Sequence, residues 1–446
     1  MKKYFQKLLV LPLFIIIANN IMAQTKELSL DQALQIAAKG NRVLQMQMLE
    51  NRKAAEVVKE AKSFLLPTVN LTSSYNIYAQ RPVIYLRNEA TTPKVNDVKF
   101  GGRFAFDGAV TMSYPILNSA VRSSIKLAGI NEAITNEKMK ITEEQLALSI
   151  SQLYLTIIYH KEEKHLLEQS LLRNRRALKD SRSLFLQGKN LKTDTLSNFI
   201  SVQNLLAAIS ALHNNIQVYS LQLKQLMGMD EVVQFVFTDS INTESPESFF
   251  PVTGAGLSIA LNNRKDIKIQ SLQIDETKEQ LKGIKASFKP QLAVIAQYQL
   301  QSQADNFRMK DYALPRTSYA GVKLSIPLYS GGRLKHKTAQ TELGIKQSEL
   351  ALTELKTNLE TELVSINSNL QEAYNQWEIQ QQNVDAAEIS YNMMNDRYRY
   401  GMGTRLELSD AELALTKAKL NNLQSVYNIK ILELQFKKTM GVLQLN

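Results

Sequence analysis

The sequence predicts a mixed α and β protein built around long helices, and three observations lead to this class. First, the 68 residues from Arg333 to Tyr400 contain no proline and one glycine, and these two residue types are the ones that normally interrupt a helix. Such a helix would be roughly 100 Å long. Second, four segments of about ten residues alternate between apolar and polar side chains. Third, the second half of the chain repeats the order of the first.

The N-terminal segment, residues 1–23, is typical of a secretory signal peptide. Three lysines precede the apolar run 8–18, and small residues before Gln24 offer a cleavage site. The apolar run is too short to span a bilayer. We also expect no transmembrane helix later in the chain, because no later stretch approaches 18 apolar residues. Any insertion in a membrane would then require a β-barrel.

The composition argues against several other functions. Cysteine is absent, so the chain has no thiol nucleophile, no disulfide and no cysteine for a lipid anchor. The formal net charge of +11 comes from both signs spread along the chain, which does not predict a nucleic-acid-binding patch. There is no phosphate-binding glycine loop and no catalytic triad. The histidines form no metal-binding set: His160, His165, His213 and His336. We expect neither enzymatic activity nor a cofactor.

Self-comparison predicts that the chain is an internal duplication. Gly188 and Gly228 in the first half match Gly401 and Gly441 in the second, both with an offset of 213 residues. Three further matches follow in the same order, near the helix–strand junctions and in the long helices. Repeats of this kind indicate one supersecondary unit used twice.

Each predicted repeat contains a helix, a strand hairpin, a long helix, a glycine turn and a final helix. Ser29 is the predicted N-cap of the first helix. The first repeat, 24–230, is predicted to contain helix 29–66, strands 68–80 and 103–115, long helix 118–187 and helix 193–227. The second repeat, 254–446, is predicted to contain helix 256–288, strands 290–302 and 317–327, long helix 333–400 and helix 405–440. A linker rich in turn formers, 231–253, joins them.

Proline marks each predicted junction between a helix and a strand. Proline cannot continue a helix but is tolerated at the end of a strand. The four junction residues are Pro67, Pro115, Pro290 and Pro327.

The predicted strands have one apolar and one polar face. In the second strand Phe104, Phe106 and Val110 alternate with Asp107 and Thr111. This pattern fits a transmembrane β-barrel and fits equally well a soluble antiparallel sheet packed on a core. Four strands cannot close a barrel, so a membrane barrel would have to be shared between chains. Two copies would give 8 strands, three would give 12 and four would give 16.

At this level of detail the whole mature sequence resembles the TolC-like outer-membrane efflux proteins. The resemblance rests on the duplicated element order, on the junction prolines and on two motifs, Pro-Leu-Tyr-Ser-Gly-Gly-Arg at 327–333 and Arg-Tyr-Arg-Tyr-Gly-Met-Gly-Thr at 397–404. It implies a homotrimer with a 12-stranded barrel, four strands per subunit, in the outer membrane. It also implies a long α-helical barrel in the periplasm, and as partners a periplasmic adaptor protein and an inner-membrane transporter.

The resemblance also implies a gate where the helical tunnel ends, built by the two glycine turns. Tyr400 and the triplet Gly403, Thr404 and Arg405 match the motif of the second turn. Thr193 and Asp194, which follow Gly188, match the first turn. The implied closing contacts are Asp194 with Arg405 and Thr193 with Tyr400.

One position departs from the family pattern. The pattern has an acidic residue four positions after the arginine, where this chain has Ser409, with Asp410 beside it. Glu412 fills the next acidic position, and a cation-selective ring made by Glu412 in each copy is therefore expected.

The predicted function is a passive exit duct for small molecules or a secreted polypeptide, as in tripartite efflux or type I secretion. The alternative is a coiled-coil envelope scaffold or adaptor with a soluble β-domain. That alternative requires the apolar strand faces to be covered by a protein core.

Overall fold

A computed structural model of the chain describes residues 25–86, 96–189, 191–229, 233–241, 254–308 and 312–445. The predicted signal peptide, 1–23, and most of the predicted linker lie outside these residues. The described chain is built in the following order: β1 (Thr25–Leu28), α1 (Leu30–Gly40), α2 (Arg42–Ser63), β2 (Thr68–Ile77), β3 (Val83–Leu86), β4 (Asn96–Lys99), β5 (Phe104–Leu117), α3 (Ser119–Leu186), α4 (Lys192–Met227), β6 (Gln234–Phe237), α5 (Gly254–Asn263), α6 (Lys265–Ala286), β7 (Gln291–Ala304), β8 (Arg316–Ser325), α7 (Arg333–Arg399) and α8 (Arg405–Thr439).

The long helices α3 and α7 contain 68 and 67 residues and end within one residue of their expected limits. The side chain of Asn118 caps α3 by accepting hydrogen bonds from two backbone N–H groups of the first turn. Gly332, with a φ of 78°, precedes α7. Without proline and with helix-favouring residues throughout, nothing local interrupts either helix.

The prediction of one continuous first helix in each repeat is wrong. Helix 29–66 is split at Asn41 into α1 and α2, and helix 256–288 is split at Arg264 into α5 and α6. Both residues have extended backbone, with ψ values of 124° and 118°. The Asn41 side chain accepts a hydrogen bond from Leu44 N at 2.9 Å and donates one to Leu226 O at 2.7 Å. Ser29 caps α1 through a capping box, as predicted.

The first split brings α1 against the end of α4. A Cβ atom on Gly40 would lie 2.4 Å from Met227 O, so only glycine permits this approach. At the second split Arg264 forms ion pairs with Asp266 and Glu362 instead of a side-chain cap. Sequence periodicity missed both splits because neither contains a proline.

The four long strands form one antiparallel sheet in the order β2-β5-β7-β8. Pro67 and Pro290 directly precede β2 and β7, and Pro327 follows β8 by two residues. Pro115 instead lies within β5, which continues to Leu117 with a shift in register against β7. The edge strands β2 and β8 have no strand partner on their outer sides within the described chain.

A second, two-stranded sheet was not predicted. β1 pairs in parallel with β6, which lies inside the segment assigned as linker. The pair packs in the largest core cluster, where Tyr154 Oη donates a hydrogen bond to Leu28 O at 2.9 Å. The C-terminal residues Leu443 and Leu445 belong to the same cluster. The beginning, middle and end of the described chain therefore meet at one level of α3.

The helices lie side by side in the same order as the strands to which they connect. On the sheet side α2 packs on α3, α3 on α6 and α6 on α7; on the other side α4 packs on α3, α3 on α8 and α8 on α7. The described chain is thus a wall four elements wide along its whole length. One edge consists of β2, α2 and α4, and the other consists of β8 and α7.

One described helix, α4, is long and apolar enough to cross a membrane by length and composition, contrary to the expectation from the sequence. Its best 18-residue window has a mean hydropathy of 1.3, and 17% of that window is buried. No charged residue lies between Asp194 and Lys224, and the polar residues there are one threonine, one tyrosine, one histidine, and several serines, asparagines and glutamines. Five large apolar residues of this edge helix are exposed in the single chain: Leu196, Phe199, Ile200, Val218 and Leu221.

Candidate functional site

The strand register sorts the side chains of the sheet into a polar and an apolar face. Because paired residues on neighbouring strands point to the same side, the register aligns the faces of the single strands, although single residues depart from them, as Ile295 does on the polar face and Arg316 on the apolar face. One polar row is Asn70, Thr111, Gln297 and Tyr319. The next row is apolar: Val69, Met112, Ala296 and Ala320. The faces predicted for single strands thus combine into two continuous surfaces.

Most of the apolar face is uncovered within the described chain, and Phe307 packs on Tyr75 and Phe104 at one end of it. Leu71 and Val322 are exposed by 75% and 66%, and Val69 and Leu324 are exposed to a similar degree. Exposed apolar surface of this extent marks a surface that binds protein or lipid. A soluble β-domain packed on its own core, as the scaffold alternative requires, is not what the described chain contains.

The opposite end of the wall carries two turns, the first between α3 and α4 and the second between α7 and α8. Gly188 and Gly401 adopt positive φ values of 70° and 74°, a conformation that favours glycine. Each turn closes with the same pattern of backbone hydrogen bonds, Lys189 N to Leu184 O at 2.9 Å and Met402 N to Arg397 O at 2.8 Å. We call them the first and second tip turns.

The second tip turn holds most of the predicted gate residues. Thr404 caps α8 in a capping box with Glu407, and the backbone hydrogen bond from Thr404 lowers the pKa of Glu407. Gly403 packs closely on Arg397, where an added Cβ would lie 3.2 Å from the Arg397 Cβ. Tyr400 is 77% exposed.

Arg405 begins α8 with an incompletely paired guanidinium. The group lies 5.8 Å from the centre of the Tyr398 ring. Its Nε and Nη2 atoms are buried and have no hydrogen-bond partner. Buried donors nearly always have acceptors, so the described chain leaves an acceptor missing here.

The first tip turn does not supply that acceptor within the chain. Thr193 is exposed and Asp194 is half-buried. Among the described residues no hydrogen bond or ion pair joins Asp194 to Arg405 or Thr193 to Tyr400. Two side-chain atoms on the next turns of α4, Thr195 Oγ1 and Asn198 Nδ2, are likewise buried without a partner.

Glu412 does not present a free carboxylate, which corrects the prediction of a selective acidic ring. It is 5% exposed and lies between α8 and α3. Its Oε1 atom accepts hydrogen bonds from Arg173 Nε at 3.1 Å and from Asn174 Nδ2 at 2.9 Å. Burial raises the pKa of Glu412, although the nearby Arg173 acts in the opposite direction. The half-buried Ser409 and the exposed Asp410 flank this network toward the tip.

Sequence reasoning missed the α3 side of this network. Arg173 also donates to Thr416 Oγ1 at 3.4 Å, and Thr416 donates to Ser170 Oγ at 3.3 Å. The available signal was the spacing of small and polar residues on α3, at Ser170, Asn174, Ala177 and Ser181, which places them on one helix face. The residue on α8 that faces them could not be read from the sequence.

The described residues contain no group of three or more histidine or acidic side chains arranged to hold a metal ion. The features that stand out are therefore a two-faced sheet, two open edges and a tip with unpaired buried donors. Exposed apolar sheet surface and unpaired buried donors of this kind are typical of surfaces that contact lipid or another protein chain.

Comparison with proteins of known structure identifies the fold. The open state of the MtrE outer membrane channel of Neisseria gonorrhoeae superposes with a TM-score of 0.75 at 14% identity, covering 94% of this chain and 90% of MtrE. Among curated proteins, the outer membrane protein TolC of Vibrio cholerae is 20% identical over 413 residues, which cover 91% of this chain and 89% of TolC. The outer membrane efflux protein BepC of Brucella suis is 20% identical over 406 residues, 90% of this chain and 83% of BepC.

The chain belongs to the outer membrane efflux protein family, whose model matches residues 33–229 and 256–442. The resemblance inferred from the sequence motifs is thereby confirmed. The protein is an efflux channel protein of the outer membrane.

Proposed function

We propose that three copies of this chain close into one exit duct, with a 12-stranded barrel in the outer membrane and a helical tunnel in the periplasm. The observation that carries the proposal is the wall of four elements with two open edges and a largely uncovered apolar sheet face. An open strand edge in lipid leaves backbone groups unpaired. Pairing β2 of one copy with β8 of the next removes both edges.

The two edges are different surfaces, so the contact between copies is head-to-tail. A head-to-tail contact produces a closed ring when its rotation permits. The helical edges carry matching apolar surface: Phe199 and Leu221 on α4 and Leu350 and Val364 on α7 are all exposed. The family-model matches to two successive segments support an origin of the two repeats, 24–230 and 254–446, by duplication.

In this assembly the two tip turns form the gate. Because Arg405 has buried donors without an acceptor in its own chain, we propose that Asp194 of a neighbouring copy supplies one. Thr193 and Tyr400 would meet across the same contact. Each contact is a charge-assisted or neutral hydrogen bond that a partner protein can break. MtrE has been solved as an open channel, which supports a tip with two states.

The proposed partners are a periplasmic adaptor and an inner-membrane transporter, which would supply the energy and select the cargo. The cargo is a small molecule or an exported polypeptide.

Arg405→Ala tests the gate in planar lipid bilayers. Removing the guanidinium should leave the oligomer intact and raise single-channel conductance. Asp194→Ala should raise it similarly, and the double variant should show no further increase, because both changes remove one contact. Arg399→Ala is the matched control, since it removes an exposed arginine near the same turn and should change little.

Conductance that stays at the wild-type level in both single variants would remove the gating role from these residues. Additive increases would instead assign Arg405 and Asp194 to separate contacts.

A further inference from the structure

The polar face of the sheet carries a single acidic side chain, Asp107 of β5. The four long strands contain three charged residues, Asp107, Arg316 and Lys323. The register pairs Arg316 with Leu300 on the apolar face and Lys323 with Ala293 on the polar face. Asp107 is therefore the only negative charge that these strands contribute to either face.

A directed chain of hydrogen bonds crosses three strands and ends at this carboxylate. Tyr319 Oη donates to Gln297 Oε1 at 2.9 Å, and Gln297 Nε2 donates to Gln299 Oε1 at 3.0 Å. Gln299 Nε2 then donates to Asp107 Oδ2 at 2.5 Å. Because each donor in such a chain is polarised by the one before it, the last bond is strengthened.

The arrangement leaves half of the carboxylate available. Gln301 Nε2 is a second donor to Asp107 Oδ2, at 3.1 Å. Asp107 Oδ1 has no protein donor among the described residues. Asp107 is half-buried and Gln301 is exposed. The charge is thus fixed in position by neutral amides, without a basic partner that would cancel it.

We propose that Asp107 makes the sheet end of the pore selective for cations. The inference rests on the proposed barrel, in which the polar face lines the lumen and three copies bring three carboxylates to one level. Asp107 pairs with Gln301 and Lys323 pairs with Ala293, so the two charges are eight residues apart along β7, about 26 Å. This distance exceeds the Debye length of about 10 Å at 0.1 M salt. The acidic and basic rings therefore act separately at 0.1 M salt. At 0.01 M, where the Debye length is about 30 Å, the Lys323 ring adds a background that is the same with and without the Asp107 charge, so it cancels when wild type and Asp107→Asn are compared.

The size of the effect follows from Coulomb's law with salt screening. A mobile cation about 10 Å from each of three carboxylates should be enriched about 2-fold at 0.1 M salt and about 4-fold at 0.01 M salt. The dependence on salt is the signature of a fixed charge. A purely structural role for Asp107 would not produce it.

The test is the reversal potential of single channels in a KCl gradient, recorded around both salt concentrations. Because the fixed charge enriches cations and depletes anions by the same factor, Asp107→Asn should lower the cation-to-anion permeability ratio by about 4-fold at 0.1 M and about 16-fold at 0.01 M, with little change of conductance in high salt. Gln301→Lys should have the same effect, because it adds an ammonium beside the carboxylate. Ser74, which pairs with Asp107 across β2 and β5, offers a rescue: Ser74→Asp combined with Asp107→Asn should restore the ratio.

The outcomes separate this inference from the proposed channel. If wild type forms pores, and both Asp107→Asn and Gln301→Lys have the wild-type permeability ratio at both salt concentrations, then the role of Asp107 is overturned while the channel stands. A folded wild-type protein that forms no pores would overturn the channel itself. The recordings are repeated with Arg405→Ala, so that a narrow tip does not dominate the resistance of the pore.

Discussion

The two repeats contact each other at two helix pairs, α3 with α6 and α3 with α8, which we call the sheet-side joint and the tip-side joint. Each joint contains a buried carboxylate, and the two carboxylates differ in their partners and in the direction of their pKa shifts. At the sheet-side joint, between α3 and α6, Glu137 accepts hydrogen bonds from Lys140 at 3.0 Å and from Lys268 at 2.6 Å. At the tip-side joint, between α3 and α8, Glu412 is bound by Arg173 and Asn174. Both carboxylates are about 5% exposed. Only the lysines of the sheet-side joint extend well into solvent.

The pKa shifts of the two carboxylates differ in sign. Burial alone would raise the pKa of Glu137, but the hydrogen bonds from Lys268 and Lys140 overcome it and lower that pKa. For Glu412 burial dominates over the attraction to Arg173 and raises the pKa. At the sheet-side joint two lysines bind one carboxylate, so either lysine can compensate for loss of the other. At the tip-side joint the carboxylate depends on one arginine. The buried carboxylate whose charge is less well compensated, Glu412, therefore lies in the half of the wall that carries the proposed gate.

The largest expected effect is at Arg173. Arg173→Met leaves a buried carboxylate without its cation and should lower the free energy of unfolding at pH 7 by about 3–5 kcal/mol. Lys268→Met is the matched change at the other joint and should cost about 1 kcal/mol, because Lys268 is largely exposed and Lys140 remains. Denaturant unfolding in detergent measures both. Equal losses would mean that the two joints are energetically alike.

A smaller difference is expected for the neutral donors of the two joints. Asn174→Ala removes one of the two donors to Glu412 and should cost about 2 kcal/mol. Ser123 donates to Glu279 at the sheet-side joint at 2.9 Å, and Lys282 also binds that carboxylate. Ser123→Ala should therefore cost about 1 kcal/mol. A larger loss of stability in Ser123→Ala than in Asn174→Ala would contradict the proposed difference between the joints.

The pH dependence should separate the joints by sign. Because the pKa of Glu412 is raised, its contribution is fully present below the unfolded value of about 4.3 and is lost as the pH rises through the folded pKa. Because the pKa of Glu137 is lowered, its contribution is present above about 4.3 and is lost as the pH falls through the folded pKa. Unfolding of the wild type, Glu412→Gln and Glu137→Gln between pH 3 and pH 8 measures both. The assignment would be contradicted if the stability difference between wild type and Glu412→Gln changed with pH in the same direction as the difference between wild type and Glu137→Gln.

The sequence was sufficient for the elements that depend on local pattern. The limits of α3 and α7 follow from the absence of helix breakers, and the faces of the strands follow from alternation. The splits at Asn41 and Arg264 could not be predicted, because they depend on packing against α4 and on ion pairs with α7. The pairing of β1 with β6 joins segments about 209 residues apart, and each strand has only four residues.

The candidate site shows the same division. The tip residues could be placed on their turns from the motif around Tyr400 and from the glycine of each turn. The environment of Glu412 could not be predicted, because its partner Arg173 lies 239 residues earlier. A family pattern that gives an acidic residue near the gate says nothing about which helix buries it. Asp107 was assigned to the polar face from the sequence, but its glutamine donors become visible only with the register of β5 and β7.

The central claim is that the open-edged wall closes as a ring of three copies in the outer membrane. The most direct measurement is electron microscopy of the protein extracted from outer membranes in detergent. The account predicts hollow particles with threefold symmetry, a detergent belt around the sheet end and a helical tunnel about 100 Å long. A water-soluble rod, monomeric or dimeric and without a detergent belt, would contradict it.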